Sequence, residues 1–120
     1  MNKLIKAGLV VASTFIGAQA MAASMDCEIG EAQYNREYGG YTCYTVEFGS
    51  QTASTTYKIV SDKAVSNVVW DGAAASCGVS SSTSCTVQTS ANTVHAATAI
   101  ILFQDGSWEK AWATSLFNNI

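Results

Sequence analysis

His95-Ala96-Ala97-Thr98-Ala99-Ile100-Ile101-Leu102-Phe103-Gln104-Asp105-Gly106-Ser107-Trp108-Glu109-Lys110-Ala111-Trp112-Ala113-Thr114-Ser115-Leu116-Phe117 is the stretch whose reading decides the fold. An apolar run from His95 to Gln104 meets a second run, Trp108 to Phe117, across Asp105-Gly106. Such a dipeptide marks a hairpin, because both central positions of a tight two-residue turn accept positive φ. With a two-residue turn, Phe103 sits opposite Trp108 and Ala99 opposite Trp112. Phe103, Ile101, Trp108, Trp112 and Lys110 then share one face, and Leu102, Ile100, Ala111 and Ala113 the other. A three-residue bulged turn would change these pairs. Both faces are apolar, so one is core and the other is covered by a second sheet or exposed as an interaction patch or dimer contact. Tryptophan's high average burial weights the face carrying both indoles toward the core.

Outward from the hairpin the two-residue period persists. Tyr44, Val46 and Phe48 alternate with Cys43, Thr45 and Glu47. Gly49 to Ala53 turns the chain, Tyr57 and Ile59 share one face of Thr55–Val60, and Ala64, Val68 and Trp70 share one face of a strand ended by Asp71-Gly72. Ser76 to Ser84 is a serine-rich loop, and Cys85, Val87 and Thr89 resume alternation before a turn at Ala91-Asn92. Asp26 to Gly40 is polar and acidic, with Tyr34 and Tyr38 four residues apart, and fits a helical turn or structured loop better than a strand. The expectation is an all-β domain, a small antiparallel sandwich or barrel of about six or seven strands stapled by disulfides. The closing hairpin, Ala99 to Trp108, resembles the last two strands of a bacterial immunoglobulin-like domain.

The amino-terminal segment fixes the compartment. Lys3 and Lys6 precede an apolar run from Ala7 to Ile16 and an Ala18-Gln19-Ala20-Met21-Ala22-Ala23 exit, the pattern of a secretory signal peptide. A cut after Ala20 or Ala22 places alanine at the third and first positions before it. Residues 1–22 are therefore read as the signal and 23–120 as one domain, periplasmic or else secreted. The apolar run is shorter than the ~20 residues that span a bilayer, so no membrane anchor is expected. Beyond residue 22 the nine acids face only Arg36, Lys58, Lys63 and Lys110, a net charge of −5. Phosphate binding needs a positive field, which argues against a nucleic-acid partner.

Four cysteines, Cys27, Cys43, Cys77 and Cys85, remain in an oxidising compartment and read as two disulfides. Three pairings exist and the sequence does not choose among them; Cys27–Cys43 with Cys77–Cys85 is favoured because each closes one local loop. Neither pair has C-x-x-C spacing and His95 is the only histidine, so neither a metal nor another cofactor is expected. His95 has no nucleophile in a recognisable frame, the acids are scattered singly, and phosphate-loop, dinucleotide and EF-hand patterns are missing, so the chain reads as a non-enzyme.

Two surfaces are candidates for partner binding. Glu31, Tyr34, Glu37, Tyr38 and Tyr41 lie in a segment that Cys27–Cys43 would close, and tyrosines, glycines and a pre-organising cross-link make a recognition loop whose acids suit a basic partner. Trp108 and Trp112 supply the second surface. In size, signal peptide, acidity and cysteine content the chain resembles the periplasmic immunity proteins that neutralise peptidoglycan-cleaving effectors of type VI secretion. That resemblance implies an inhibitor occluding the cleft of a basic, muramidase-type cell-wall hydrolase. The alternative is a carbohydrate-binding sandwich stacking sugars on Trp108 and Trp112, with Gln104 and Asp105 as the local polar groups.

Overall fold

A computed structural model describes residues 22–30, 36–37 and 42–119. They form nine strands: β1 Ala23–Ile29, β2 Arg36–Glu37, β3 Thr42–Glu47, β4 Thr52–Ser61, β5 Val65–Gly72, β6 Val79–Ser80, β7 Ser84–Ser90, β8 His95–Phe103 and β9 Trp108–Asn119, with a 3-10 turn at Ala75–Cys77. Two sheets result, a six-stranded one in the order β2-β3-β9-β8-β5-β6 and a three-stranded one in the order β1-β4-β7. The domain is small, mostly β and disulfide-bonded, with two packed sheets rather than a clearly closed barrel.

Seven strands are six residues or longer, and two of two residues are added to them. The expected helical turn or loop from Asp26 is corrected at its start. Asp26 to Ile29 belong to β1, which pairs antiparallel with β4, Met25 facing Ile59 and Cys27 facing Tyr57. The acids mislead because Asp26 and Glu28 lie on the polar side of a strand that buries Met25, Cys27 and Ile29. The rest of that segment lies outside the described residues, apart from Gly30, whose N–H donates to the Ser54 carbonyl, and Arg36 and Glu37, which pair with Tyr44 and Cys43. The sheet is also not wholly antiparallel. β9 runs parallel to β3 from Thr114↔Thr42 to Asn119↔Glu47. Alternation identifies strands but carries no information on which distant strand lies beside them.

The core is built from the facing sides of the two sheets. Met25, Ile29, Tyr57 and Ile59 from the three-stranded sheet meet Val68, Trp70, Ile101, Phe103 and Phe117 from the other. Opposite the large side chains of the smaller sheet, β8 and β9 present Ala97, Ala99, Ala111 and Ala113, all buried. Interiors pack near crystal density, so bulky residues on one layer require small ones on its neighbour. Across the layers the Tyr57 hydroxyl lies 2.8 Å from Ser115 Oγ, and within the three-stranded sheet Thr55 Oγ1 lies 2.8 Å from Thr89 Oγ1, while Thr45 Oγ1 and Trp70 Nε1 are buried without a hydrogen-bond partner among the described residues. Burial pushes the Tyr57 phenol above its ordinary pKa, and the Ser115 hydrogen bond offsets part of that rise.

Both favoured disulfides are present. Cys27–Cys43 joins β1 to β3 and therefore bridges the two sheets, while Cys77–Cys85 ties the 3-10 turn to the edge strand β7. The serine-rich loop is more ordered than its composition suggests, since Val79 pairs with Val69 and Ser80 with Val68. Gly72 ends β5 at φ +63°, where a Cβ would sit 2.4 Å from the Ala96 carbonyl oxygen. Only glycine fits there.

Candidate binding face of the six-stranded sheet

The closing hairpin turns in three residues rather than two. The Gly106 N–H donates to the Phe103 carbonyl, the Phe103 N–H donates to the Ser107 carbonyl, and Gly106 sits at φ +89°. This is a type I turn followed by a left-handed glycine bulge, the usual three-residue hairpin. Trp108 consequently faces Leu102, Lys110 faces Ile100 and Trp112 faces Thr98, while Ala111 faces Ala99. The pairing expected from a two-residue turn, with Phe103 opposite Trp108 and Ala99 opposite Trp112, is wrong by one position. With a side-chain period of two, one position exchanges the faces. Ile101 and Phe103 point inward with Ala111 and Ala113, and the indoles point out.

Trp108 is 59% and Trp112 50% exposed, so the weighting toward buried tryptophans fails for both. Trp70 alone of the three is core. Trp108 and Trp112 are four residues apart on one strand and one face, which sets their backbones about 13 Å apart. Rows across the sheet bring other strands' side chains beside them. Asn67 of β5 and Leu102 line up with Trp108; Val69 lines up with Ile100 and Lys110; Asp71 lines up with Thr98 and Trp112. Val79 of β6, 70% exposed, extends the middle row through its pairing with Val69. A groove of about 410 Å³ opens on this face, lined by Val69, Asp71, Thr98, Ile100, Lys110 and Trp112.

Sequence reading sees the two tryptophans but not the groove. Asn67, Val69, Asp71 and Thr98 reach it through the β5–β8 pairing, which joins segments about 30 residues apart with an irregularity between Val65 and Asn67. That bulge also turns Ala64 out to solvent, away from Val68 and Trp70. On β3 the faces likewise differ from hydrophobic expectation: Cys43 and Thr45 are buried, Tyr44 and Val46 are half-buried on the outer side, and Phe48 is exposed. Tyr44 accepts a hydrogen bond from Asn118 Nδ2 at 3.0 Å, continuing the outer face to the far edge.

Asp105, one of the two polar groups expected to assist the indoles locally, is engaged elsewhere. Asp105 accepts from both the N–H and the hydroxyl of Ser107 and pairs with Lys63 at 2.9 Å. The Ser107 bonds, with Lys63 beside them, hold its carboxyl well below the usual carboxylate range. Lys63 also lies 4.6 Å from the centre of the Phe103 ring, so this cluster braces the hairpin tip. His95 Nε2 lies 3.1 to 3.3 Å from the carbonyl, N–H and hydroxyl of Ser90. Among the described residues no group of three or more His, Cys, Asp or Glu is placed to hold a metal ion, and no helix is long and apolar enough to cross a membrane.

Of the acidic tyrosine segment, Glu31, Tyr34, Tyr38 and Tyr41 lie outside the described residues, and for Glu37 the backbone pairing with Cys43 is described. The outer sheet face is thus the candidate site whose geometry is defined. Comparison of the chain with protein-family models, with curated proteins and with solved structures returns no match.

Proposed function

We infer that this chain is an exported, non-catalytic binding protein whose outer sheet face recognises an uncharged oligosaccharide. The observation that carries the reading is the pair of half-exposed indoles on one face, with Asp71, Thr98 and Lys110 in a groove beside Trp112. Pyranose rings offer apolar C–H faces to an indole and hydroxyls at their rims. A mixed apolar floor with a few hydrogen-bonding groups matches that chemistry, and the stacking energy comes from desolvating large rigid rings. The net −5 beyond residue 22 disfavours polyanionic glycans, leaving neutral ones. Calorimetric titration with neutral β-linked oligosaccharides of hexose and N-acetylhexosamine tests the proposal. Binding that falls at least tenfold in Trp112→Ala, in a protein of unchanged fold, is the expected result. No binding to any of these sugars overturns it.

A second reading is favoured by the Cys27–Cys43 bond, which closes the segment carrying Glu31, Tyr34, Glu37, Tyr38 and Tyr41 and anchors its ends on both sheets. On this reading the chain is a periplasmic inhibitor, an immunity protein of the type VI secretion kind, that occludes a basic muramidase-type hydrolase. Charge reversal at Glu31 and Glu37 would then slow association with the enzyme, and alanine at Tyr34 or Tyr38 would speed dissociation.

A further inference from the structure

Strand β9 carries one carboxylate on its inward side. Glu109 stands opposite Ile101, at the mouth between the sheets, where a charge without partners is costly. Its two oxygens are each occupied by a backbone donor nearly the whole chain away: Oε2 accepts the Ala22 N–H at 3.0 Å and Oε1 the Ala23 N–H at 3.1 Å. β1 begins at Ala23, which is 3% exposed. No lysine or arginine is recorded in an ion pair with Glu109 among the described residues: Lys63 is held by Asp105 and Ser107, and Lys110 points to the opposite face.

One donor is the nitrogen of the Ala22–Ala23 bond itself and the other lies one residue before it, and that bond is one of the two cleavage points that the small-residue exit allows. We propose that Glu109 is the receptor of the processed amino terminus: hydrolysis of the Ala22–Ala23 peptide bond frees the Ala23 α-amine, which as an ammonium pairs with the Glu109 carboxylate. Hydrolysis consumes one water and leaves the Ala22 carboxyl on the departing signal. The ammonium carries three donors and a full charge, so it serves both oxygens with charge-assisted bonds, where the uncut chain offers two neutral amides. Departure of Ala22 also removes the carbonyl that accepts the Asp62 N–H, but Asp62 is exposed and water replaces it. Processing thereby tightens the end of β1 against β9, linking the opposite ends of the folded chain. The inference is independent of what the outer face binds.

Four chains test it: the protein beginning at Ala23 with a free amine, the same chain Nα-acetylated, and Glu109→Gln in each. Acetylation removes the charge and restores a carbonyl in Ala22's place, so the pair isolates the ammonium. Glu109→Gln is expected to lower Tm by about 5 °C in the free-amine chain and clearly less in the acetylated one. Equal losses overturn the proposal. Should Glu109→Gln fail to fold, acylation of the α-amine at neutral pH reads the same contact. It is expected to be several-fold slower in the native protein than in the urea-unfolded chain, and equal rates overturn the proposal. Amino-terminal sequencing of the exported protein should find Ala23, whereas a start at Met21, two residues out, contradicts it.

Discussion

The two faces of β9 distribute size in opposite senses. Inside lie Ala111, Ala113 and Ser115, ending in Phe117; outside lie Trp108, Lys110 and Trp112. The inner row is narrow because Tyr57, Met25 and Ile29 of the other sheet fill the space above it, and a tryptophan there would collide with them. Among the described strands no second layer covers the outer row, which carries the largest side chains. The difference shows that in a two-layer β domain the core face is set by fit to the opposite layer, and that bulk alone does not identify it. An outer face rich in aromatic surface is costly to solubility and points to use.

The contrast is broken most severely from inside. Phe117→Ala, emptying a fully buried ring, should cost about 3–5 kcal/mol in denaturant unfolding; a loss under 1 kcal/mol would place Phe117 outside the core. Cross-links rank next. Replacing Cys27 and Cys43 together by alanine should cost about 3 kcal/mol, somewhat more than replacing Cys77 and Cys85, because the first closes the longer loop. Equal or inverted costs would mean that native-state strain, not loop closure, governs the difference.

Against those numbers, Trp108→Ala and Trp112→Ala should each change stability by no more than about 0.5–1 kcal/mol, despite removing the largest side chains on the strand. A core-sized loss at either would return the indoles to the interior. The smallest effect belongs to the hairpin tip. Asp105 is held ionised by Ser107 and Lys63, so its folded-state pKa is lowered. A lowered pKa contributes stability above the unfolded value of about 4 and loses it as the pH falls below that. Asp105→Asn should therefore lower the urea midpoint slightly at pH 6, with the gap to wild type narrowing through acid pH. A gap that widens on acidification contradicts the sign.

Much of the layout was legible from the residues themselves. Alternation at Tyr57/Ile59 and Val68/Trp70 marks the buried sides of β4 and β5, and the loop-closing logic finds both disulfides. The hairpin was legible too, but not its turn length, since Asp-Gly serves two-residue and three-residue turns alike and a single residue decides which face of β9 is core. β1 was hidden because its outward acids, Asp26 and Glu28, dilute the apolar signal of Met25 and Ile29. At the candidate site, Trp108 and Trp112 carry their own signal. Asp71 and Thr98 do not, because isolated polar residues on strands become partners of an indole only through the pairing of β5 with β8 and β8 with β9.

The three indole N–H groups provide the most direct test of the claim that the outer face of β9 is the working surface. In 15N-labelled protein titrated with a neutral N-acetylhexosamine oligosaccharide, the Trp108 and Trp112 Nε1–H resonances should shift progressively. Trp70, 3% exposed and on the opposite face of the sheet, should stay in place. Shifts confined to Tyr34, Tyr38 and Tyr41, or indole resonances that remain fixed at saturating sugar, would contradict the account.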